Sequence, residues 1–316
     1  MDIRDLEYFL ACCETGSFTA AARQAHIVQS AMSSAIARLE RELGVPLFDR
    51  NVTPIGLTEH GAALRAGAQR ILEAVQAARD DVAAVSGRVR GTVTLACTLN
   101  TGTLDLAEVL AGIRDRHPGV IVKLRQSSSG SAGNLQAVRD GSADIALCAS
   151  AGDRVTSEFS RGVVLYHLWS ESMVFVCRPD HPLAGRDRVT AEDLGQEMIL
   201  RFPPGWGVRA IVDNTLGATQ SAFEVVDYSL MFRLVQAGFG TTLVPASAVQ
   251  GERAEGLRAI AADDPQMRWN LAAAVSAHRQ LTTATKTLLA ALIQGSRLRV
   301  TASPHGRDGQ RAVCSV

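Results

Sequence analysis

The chain has 316 residues, room for two domains of ordinary size, and 47% of them are hydrophobic, enough to bury a core without disulfides. Lysine plus arginine and aspartate plus glutamate both number 32, so the formal net charge is zero and a uniformly basic nucleic-acid coat is excluded. The cations are lopsided: Lys123 and Lys286 are the lysines, the other 30 are arginines, and guanidinium is the better fork for phosphate or carboxylate.

Met1-Asp2-Ile3-Arg4-Asp5 has no basic stretch leading into an apolar one, and no apolar run reaches the roughly 18–20 residues of a membrane helix. The expectation is a cytoplasmic protein with no membrane partner. Cys12, Cys13, Cys97, Cys148, Cys177 and Cys314 form no Cys-x-x-Cys pair, so neither zinc spacing nor a disulfide framework is indicated. No metal and no cofactor are expected.

In chain order, Leu6, Phe9, Leu10 and Cys13 recur as one helical face, and Gly16-Ser17 breaks it. Phe18-Thr19-Ala20-Ala21-Ala22 opens a short second helix, and Ala25-His26-Ile27-Val28 makes a tight connection. A third helix carries Met32, Ile36, Leu39 and Leu43 on its apolar stripe and stops at Gly44. Its opposite face offers Gln29, Ser30, Ser33, Ser34, Ala37 and Arg38. A short helix, a turn and a polar-faced helix make a helix-turn-helix, whose last helix enters the major groove. There Gln29, Ser33, Ser34 and Arg38 are candidate base readers, because Gln suits adenine, Arg suits guanine and Ser either. Ser30 and Thr19 suit phosphate contacts. The segment from Asp49 to Leu57 reads as a two-stranded wing bearing Arg50. Residues 1–58 hold five arginines and seven acids, a net of −2, so DNA affinity must come from placed arginines, hydroxyls and helix amides.

Thr58 is an N-cap for a helix running over residues 59–87, with Gly87 as its stop. Leu64, Ala68, Ile71, Val75, Ala78, Val82 and Val85 are spaced alternately by four and three, an unbroken seam for a partner helix. From Gly91 the period changes to short apolar strands alternating with helices, which predicts an α/β unit with a mostly parallel sheet. Lobe I is expected over 91–162 and 268–294, and lobe II over 163–267. Residues 295–316 lack periodicity and are expected to be a disordered tail. Ligands in such sheets sit beyond strand C-termini, against helix N-termini. That points to Thr98, Asn100, Thr101, Ser127, Ser128 and Ser129 from lobe I, and to Arg201, Phe202 and Thr242 from lobe II, with Arg201 meeting a carboxylate.

Several of these stretches resemble the LysR-type transcriptional regulators. They are Asp5-Leu6-Glu7-Tyr8-Phe9, Gly16-Ser17-Phe18-Thr19-Ala20-Ala21-Ala22, Gln29-Ser30-Ala31-Met32-Ser33, Ile36-Ala37-Arg38-Leu39-Glu40 and Glu42-Leu43-Gly44-Val45-Pro46-Leu47-Phe48-Asp49-Arg50. Further along are Asp144-Ile145-Ala146-Leu147, Pro179-Asp180-His181-Pro182-Leu183 and Gly238-Phe239-Gly240-Thr241-Thr242-Leu243-Val244-Pro245. The resemblance implies an N-terminal winged helix-turn-helix, a linker helix that dimerises, and a two-lobed periplasmic-binding-protein-like effector domain with a small-molecule coinducer. It implies double-stranded DNA with an interrupted palindromic operator as partner, assembly with itself as a dimer that pairs into a tetramer, and RNA polymerase as a further partner. The sequence departs from the family where serine is usual (Val28), where glutamine is usual (Ala35) and where a wing arginine is usual (Thr53); each change is expected to remove a polar contact.

Enzymes are disfavoured. Gly205-Trp206-Gly207-Val208-Arg209-Ala210 imitates a dinucleotide fingerprint but follows Pro203-Pro204 and reads as a loop, and neither Gly-x-Ser-x-Gly nor His-Glu-x-x-His occurs. A solute-binding protein would have no use for the first ninety residues. A redox-responsive regulator would have to use Cys148 or Cys177, and both fall in apolar strands. The expected mechanism is a population shift: a ligand closes the cleft and alters the spacing of the DNA readers and the bend of the DNA.

Overall fold

A computed structural model describes residues 1–50, 52, 54–84, 89–151, 161–217, 223–250 and 254–300. The chain divides into two compact units, Met1–Gly91 and Thr92–Val316. Thr53, Val85, Gly87 and the last sixteen residues lie outside the described residues.

The first unit runs α1 (Ile3–Thr15), α2 (Phe18–Gln24), α3 (Gln29–Leu43), β1 (Phe48–Asp49), β2 (Gly56–Leu57) and α4 (Glu59–Ala84). Asp2 caps α1 by accepting from the Arg4 amide, and Ser17 caps α2 by accepting from the Ala20 amide. The three helices bury Leu6, Phe9, Cys12, Ala21, Ala22, Met32, Ile36 and Leu39, while Leu43, expected on the same stripe, is exposed at the helix end. Phe48 joins the wing to this core: its ring lies 5.3 Å from Phe9 and 5.5 Å from Phe18. The wing is antiparallel, with Phe48 opposite Leu57 and Asp49 opposite Gly56. The turn between α2 and α3 holds His26 at φ 54°, a left-handed conformation that few residues with a side chain adopt.

Thr58 starts α4 as expected from its type: its hydroxyl accepts from the Gly61 amide at 3.0 Å. Gly61 must be glycine, since a Cβ there would sit 2.1 Å from the Leu47 carbonyl oxygen. The seam of α4 is not uniform. Ala68 is fully buried and Leu64 packs with it on the helix-turn-helix core, so these two serve their own unit rather than a partner helix. The reason is geometric: the first turns of α4 lie against α1, so the apolar stripe covers that helix before it runs clear. Beyond it, Ile71 is 37% and Val82 74% exposed, Ala78 is exposed and Val75 half-buried.

The second unit runs β3 (Arg90–Cys97), α5 (Leu106–Arg116), β4 (Gly119–Gln126), α6 (Gly130–Asp140), β5 (Ile145–Ala151), β6 (Val163–Cys177), β7 (Arg188–Val189), α7 (Ala191–Leu194), β8 (Ile199–Leu200), α8 (Gly207–Leu216), α9 (Tyr228–Gln236), β9 (Thr241–Pro245), β10 (Arg258–Ala262), β11 (Arg268–Ser276) and α10 (Thr283–Val300). The main strand order is β4-β3-β5-β11-β6-β10-β7, with β9 pairing β6 and β8. The expectation of a mostly parallel sheet is corrected here. β3 and β5 are parallel, but β11 is antiparallel to both β5 and β6, and β6 is antiparallel to β9 and β10. The cause is β6, a 15-residue strand that runs from lobe I into lobe II and pairs along its whole length with strands returning the other way.

The tail expectation also changes. Residues 295–300, expected in the tail, belong to α10, which runs to Val300, and Gly295 is pressed against α5, where a Cβ would lie 2.6 Å from Val109 Cγ2.

Candidate DNA-binding and ligand-binding sites

On α3 the polar face is outward. Gln29, Ser30, Ser34 and Arg38 are exposed and Ser33 is half-buried, with Gln29 Nε2 donating to Ser33 Oγ at 2.8 Å. Thr19 is exposed in the first turn of α2. Arg38 and Arg50 are both already paired within the unit. Arg38 holds the buried Asp5 carboxylate through two nitrogens, Nε at 3.2 Å from Oδ2 and Nη2 on Oδ1. Arg50 Nη2 donates to Glu40 Oε2 at 2.8 Å, and its guanidinium carbon sits 5.5 Å above the Phe18 ring. Glu40 in turn takes the Leu47 and Phe48 amides on Oε1, at 2.9 and 3.4 Å, so one carboxylate on α3 fixes the root of the wing and its arginine. Arg38 is thus a structural ion-pair partner whose side chain is still more than half exposed.

Ala35 is 4% exposed, so its replacement of a family glutamine takes nothing from the exposed face of this chain. Val28 does matter: it occupies the N-cap of α3, is 68% exposed and supplies no capping hydrogen bond. Val28→Ser is therefore expected to stabilise the N-terminal unit by about 1 kcal/mol. Thermal unfolding should show a midpoint several degrees higher; an unchanged or lower midpoint would contradict the cap.

In the second unit the lobe I hydroxyls gather at the ends of β3 and β4 and the start of α6. Thr98 is 8% exposed. Asn100 Nδ2 donates to Ser247 Oγ at 3.0 Å while its Oδ1 accepts the Gly102 amide at 2.9 Å, and Thr101 Oγ1 donates to the Leu104 carbonyl. Ser127 Oγ accepts the Ser129 amide at 3.0 Å, and Ser128 and Ser129 are exposed. Ser247 also gives its amide and hydroxyl to Glu171, at 2.8 and 2.6 Å, and burial pushes that carboxyl above the usual range.

The lobe II candidates do not line the cleft. Arg201 is 2% exposed; Nη1 is bonded to Asp213 and donates to the Gly217 carbonyl at 3.1 Å. A guanidinium at that depth needs a carboxylate of its own, and Asp213 is it. Phe202 is 2% exposed, packed in the lobe II core with its ring tilted 5.6 Å from Trp206 and 5.1 Å from Tyr228. Thr242 is fully buried and spends its hydroxyl on the Leu200 carbonyl at 3.1 Å, as a residue in the middle of a doubly paired strand must.

Lobe II reaches lobe I through a different segment, Gly205-Trp206-Gly207. The Gly205 carbonyl accepts the Ala132 amide of α6 at 3.0 Å. Gly130, at φ 59°, opens α6 directly under the Trp206 indole, where a Cβ would lie 2.7–3.0 Å from three ring atoms. Gly207 opens α8 against β5, with space for a Cβ blocked by the Ala149 carbonyl oxygen at 2.5 Å. Two polar groups are stranded here: Trp206 Nε1 and Ser150 Oγ are buried with no hydrogen-bond partner among the described residues, in residues that are each 8% exposed. The motif that mimics a dinucleotide fingerprint is thus the joint between the lobes. Sequence reasoning missed Trp206 and Ser150; the signal available was a tryptophan between two glycines at a helix start.

Residues 3–62 match the family model described as bacterial regulatory helix-turn-helix protein, lysR family, and residues 86–297 match the LysR substrate binding domain. The chain belongs to the LysR family of transcriptional regulators. A probable hydrogen peroxide-inducible genes activator of Mycobacterium avium is 30% identical over 285 residues, 85% of this chain and 86% of that protein. The regulator BudR of Raoultella terrigena is 30% identical over 258 residues, covering 78% and 85%. The fold is that of full-length CbnR complexed with its target DNA, with a TM-score of 0.62, 22% identity and coverage of 94% and 99%.

This LysR regulator is a DNA-binding protein with an effector-binding domain, and it is not an enzyme. No described helix is long and apolar enough to cross a membrane. The thiols considered for a redox role are sealed: Cys148 is 1% exposed with burial pushing it up to about 12, and Cys177 is fully buried and pushed up to about 11. A thiol so raised carries almost no thiolate at neutral pH, and thiolate is the reactive form.

Proposed function

We propose that this cytoplasmic regulator binds an interrupted palindromic operator as a homo-oligomer and is switched by a small carboxylate in the joint between its lobes. The observation that carries the reading is the pair of stranded groups, Trp206 Nε1 and Ser150 Oγ, beside the starts of α6 and α8. Backbone amides at helix starts favour an anion, so the carboxylate is held by amides and the indole N–H rather than by Arg201. A thermal-shift screen of small carboxylates tests it, because a ligand of the native state stabilises by mass action. Trp206→Phe keeps a ring and removes the donor, and is expected to weaken the ligand about tenfold, the worth of one charge-assisted hydrogen bond. Hits that shift Trp206→Phe as far as the wild type would sink the assignment.

Self-association is supported by the exposed Ile71 and Val82 of α4. Two further places with exposed apolar side chains suit pairing of dimers into a tetramer: the edge strand β4, with Ile121 and Leu124, and lobe II, with Leu230 and Phe239. Contact with RNA polymerase belongs to the same reading. The relative named for peroxide induction favours a redox trigger, but this chain has no cysteine between Cys177 and Cys314, and those of its effector domain before that are buried.

A further inference from the structure

At the other end of lobe I, Arg139, Arg161, Gly162 and His278 line a cavity of about 370 Å³. The parallel strands β3 and β5 end at the joint between the lobes, whereas β6 begins and β11 ends here, so the cavity lies roughly a strand length of 20 Å away. Three separate segments build it. Arg139 comes from the last turn of α6, and its Nε donates to the Arg161 carbonyl at 3.0 Å. Gly162 accepts the Ala277 amide on its carbonyl at 3.1 Å, which ties the turn before β6 to the turn after β11. The His278 ring lies over Gly162, where a Cβ would be 3.7 Å from Nε2. Arg279 stands alongside with Nη2 on the Ala143 carbonyl at 2.8 Å.

Among the described residues, the nearby carboxylates are committed elsewhere. Asp140 accepts the Ser142 amide at 3.0 Å, and Asp144 accepts the Thr94 amide at 2.7 Å and faces Arg279. Among the described residues, neither the Arg161 guanidinium nor the His278 imidazole has a hydrogen-bond or ion-pair partner. Arg139 alone could be explained as a cation complementing the C-terminal end of α6. That does not explain why a second guanidinium and an imidazole from two other segments face the same hollow. A guanidinium without a partner at the edge of a concave site focuses a positive potential there, and an anion relieves it.

We propose that this cavity is a second ligand site, separate from the joint between the lobes, and that it takes a phosphate-bearing small molecule. The guanidinium fork of Arg161 matches phosphate oxygens bidentately, and the volume, within the usual range for small-molecule sites, leaves room for an organic part beyond the phosphate. Isothermal calorimetry on the full chain with inorganic phosphate as probe, at ionic strength held constant with chloride, tests it. Saturable binding is expected, weakened about tenfold by Arg161→Ala, less by Arg161→Lys, which keeps the charge but not the fork, and unchanged by Trp206→Phe. Arg161 is exposed, and far-UV circular dichroism checks that each variant folds. Heat that chloride reproduces, or phosphate binding that survives Arg161→Glu, would overturn the site. So would a third outcome: no phosphate binding, but weaker binding of duplex DNA by Arg161→Glu, which would make this face a DNA-backbone contact instead.

Discussion

Asp213→Ala is expected to destabilise the second unit by about 3–5 kcal/mol, the cost of leaving a buried charge without its partner. The group that loses its carboxylate is Arg201, whose side chain is 1% exposed and is held by Asp213 and the Gly217 carbonyl. Arg201→Met should cost less than half as much, because it removes the buried charge along with the pair. Asp213 then keeps Arg209, whose Nε sits 2.6 Å from Oδ2, and its own side chain is 27% exposed and partly solvated. Arg209 also holds Glu224 at 2.8 Å and the Phe202 carbonyl at 3.0 Å, so the rest of the cluster survives either change. Denaturant unfolding of the two variants reads the ordering directly. An Arg201→Met variant as unstable as Asp213→Ala would mean that packing, not charge, dominates there. Any loss of ligand response in an Arg201 variant should track this loss of stability.

The second large effect is expected at Gly130. Its φ of 59° is a strained choice for any residue with a Cβ, worth about 1–2 kcal/mol. The new methyl would also meet Trp206 Cδ2 at 2.7 Å, an overpacking cost of about 1–3 kcal/mol. Gly130→Ala should therefore destabilise by about 3 kcal/mol in sum and drive the indole off α6, with a red shift in tryptophan emission. In a Trp206→Ala background the steric part should vanish and the backbone part remain. The coupling in that double-mutant cycle is the measurement that decides, and a coupling near zero would mean the indole does not lie where α6 begins.

Much of the N-terminal unit could be read from the sequence because its signals are local. Asp2, Ser17, Gly16 and Gly44 cap or stop helices through contacts within a few residues, and the apolar period of α3 follows from its own side chains. The α/β unit was readable as alternation, but not the direction of its pairing: β6 spans both lobes, and only the folded chain reveals which strands lie beside it. The ligand site was half legible. The lobe I hydroxyls follow strand ends, a rule of topology that sequence can apply. Arg201, Phe202 and Thr242 sit at the right height on lobe II, yet whether a side chain turns inward depends on Asp213, Tyr228 and Leu200, which are 12 to 42 residues away. Leu64 and Ala68 failed likewise, since a heptad pattern does not tell a partner helix from α1.

The pairing of Arg50 with Glu40, and of Arg38 with Asp5, changes what docking on DNA means for this protein. A free arginine gains a phosphate outright; these two must first loosen a carboxylate they already hold. Binding at those positions is an exchange of one anion for another on the same guanidinium, so counterions released from the DNA are offset by cations recruited to the abandoned acids. The salt dependence contributed by each such contact should be shallower than for an unpaired arginine. The grip of the wing on the backbone is thereby coupled to the wing's attachment to α3, because Glu40 also holds the Leu47 and Phe48 amides.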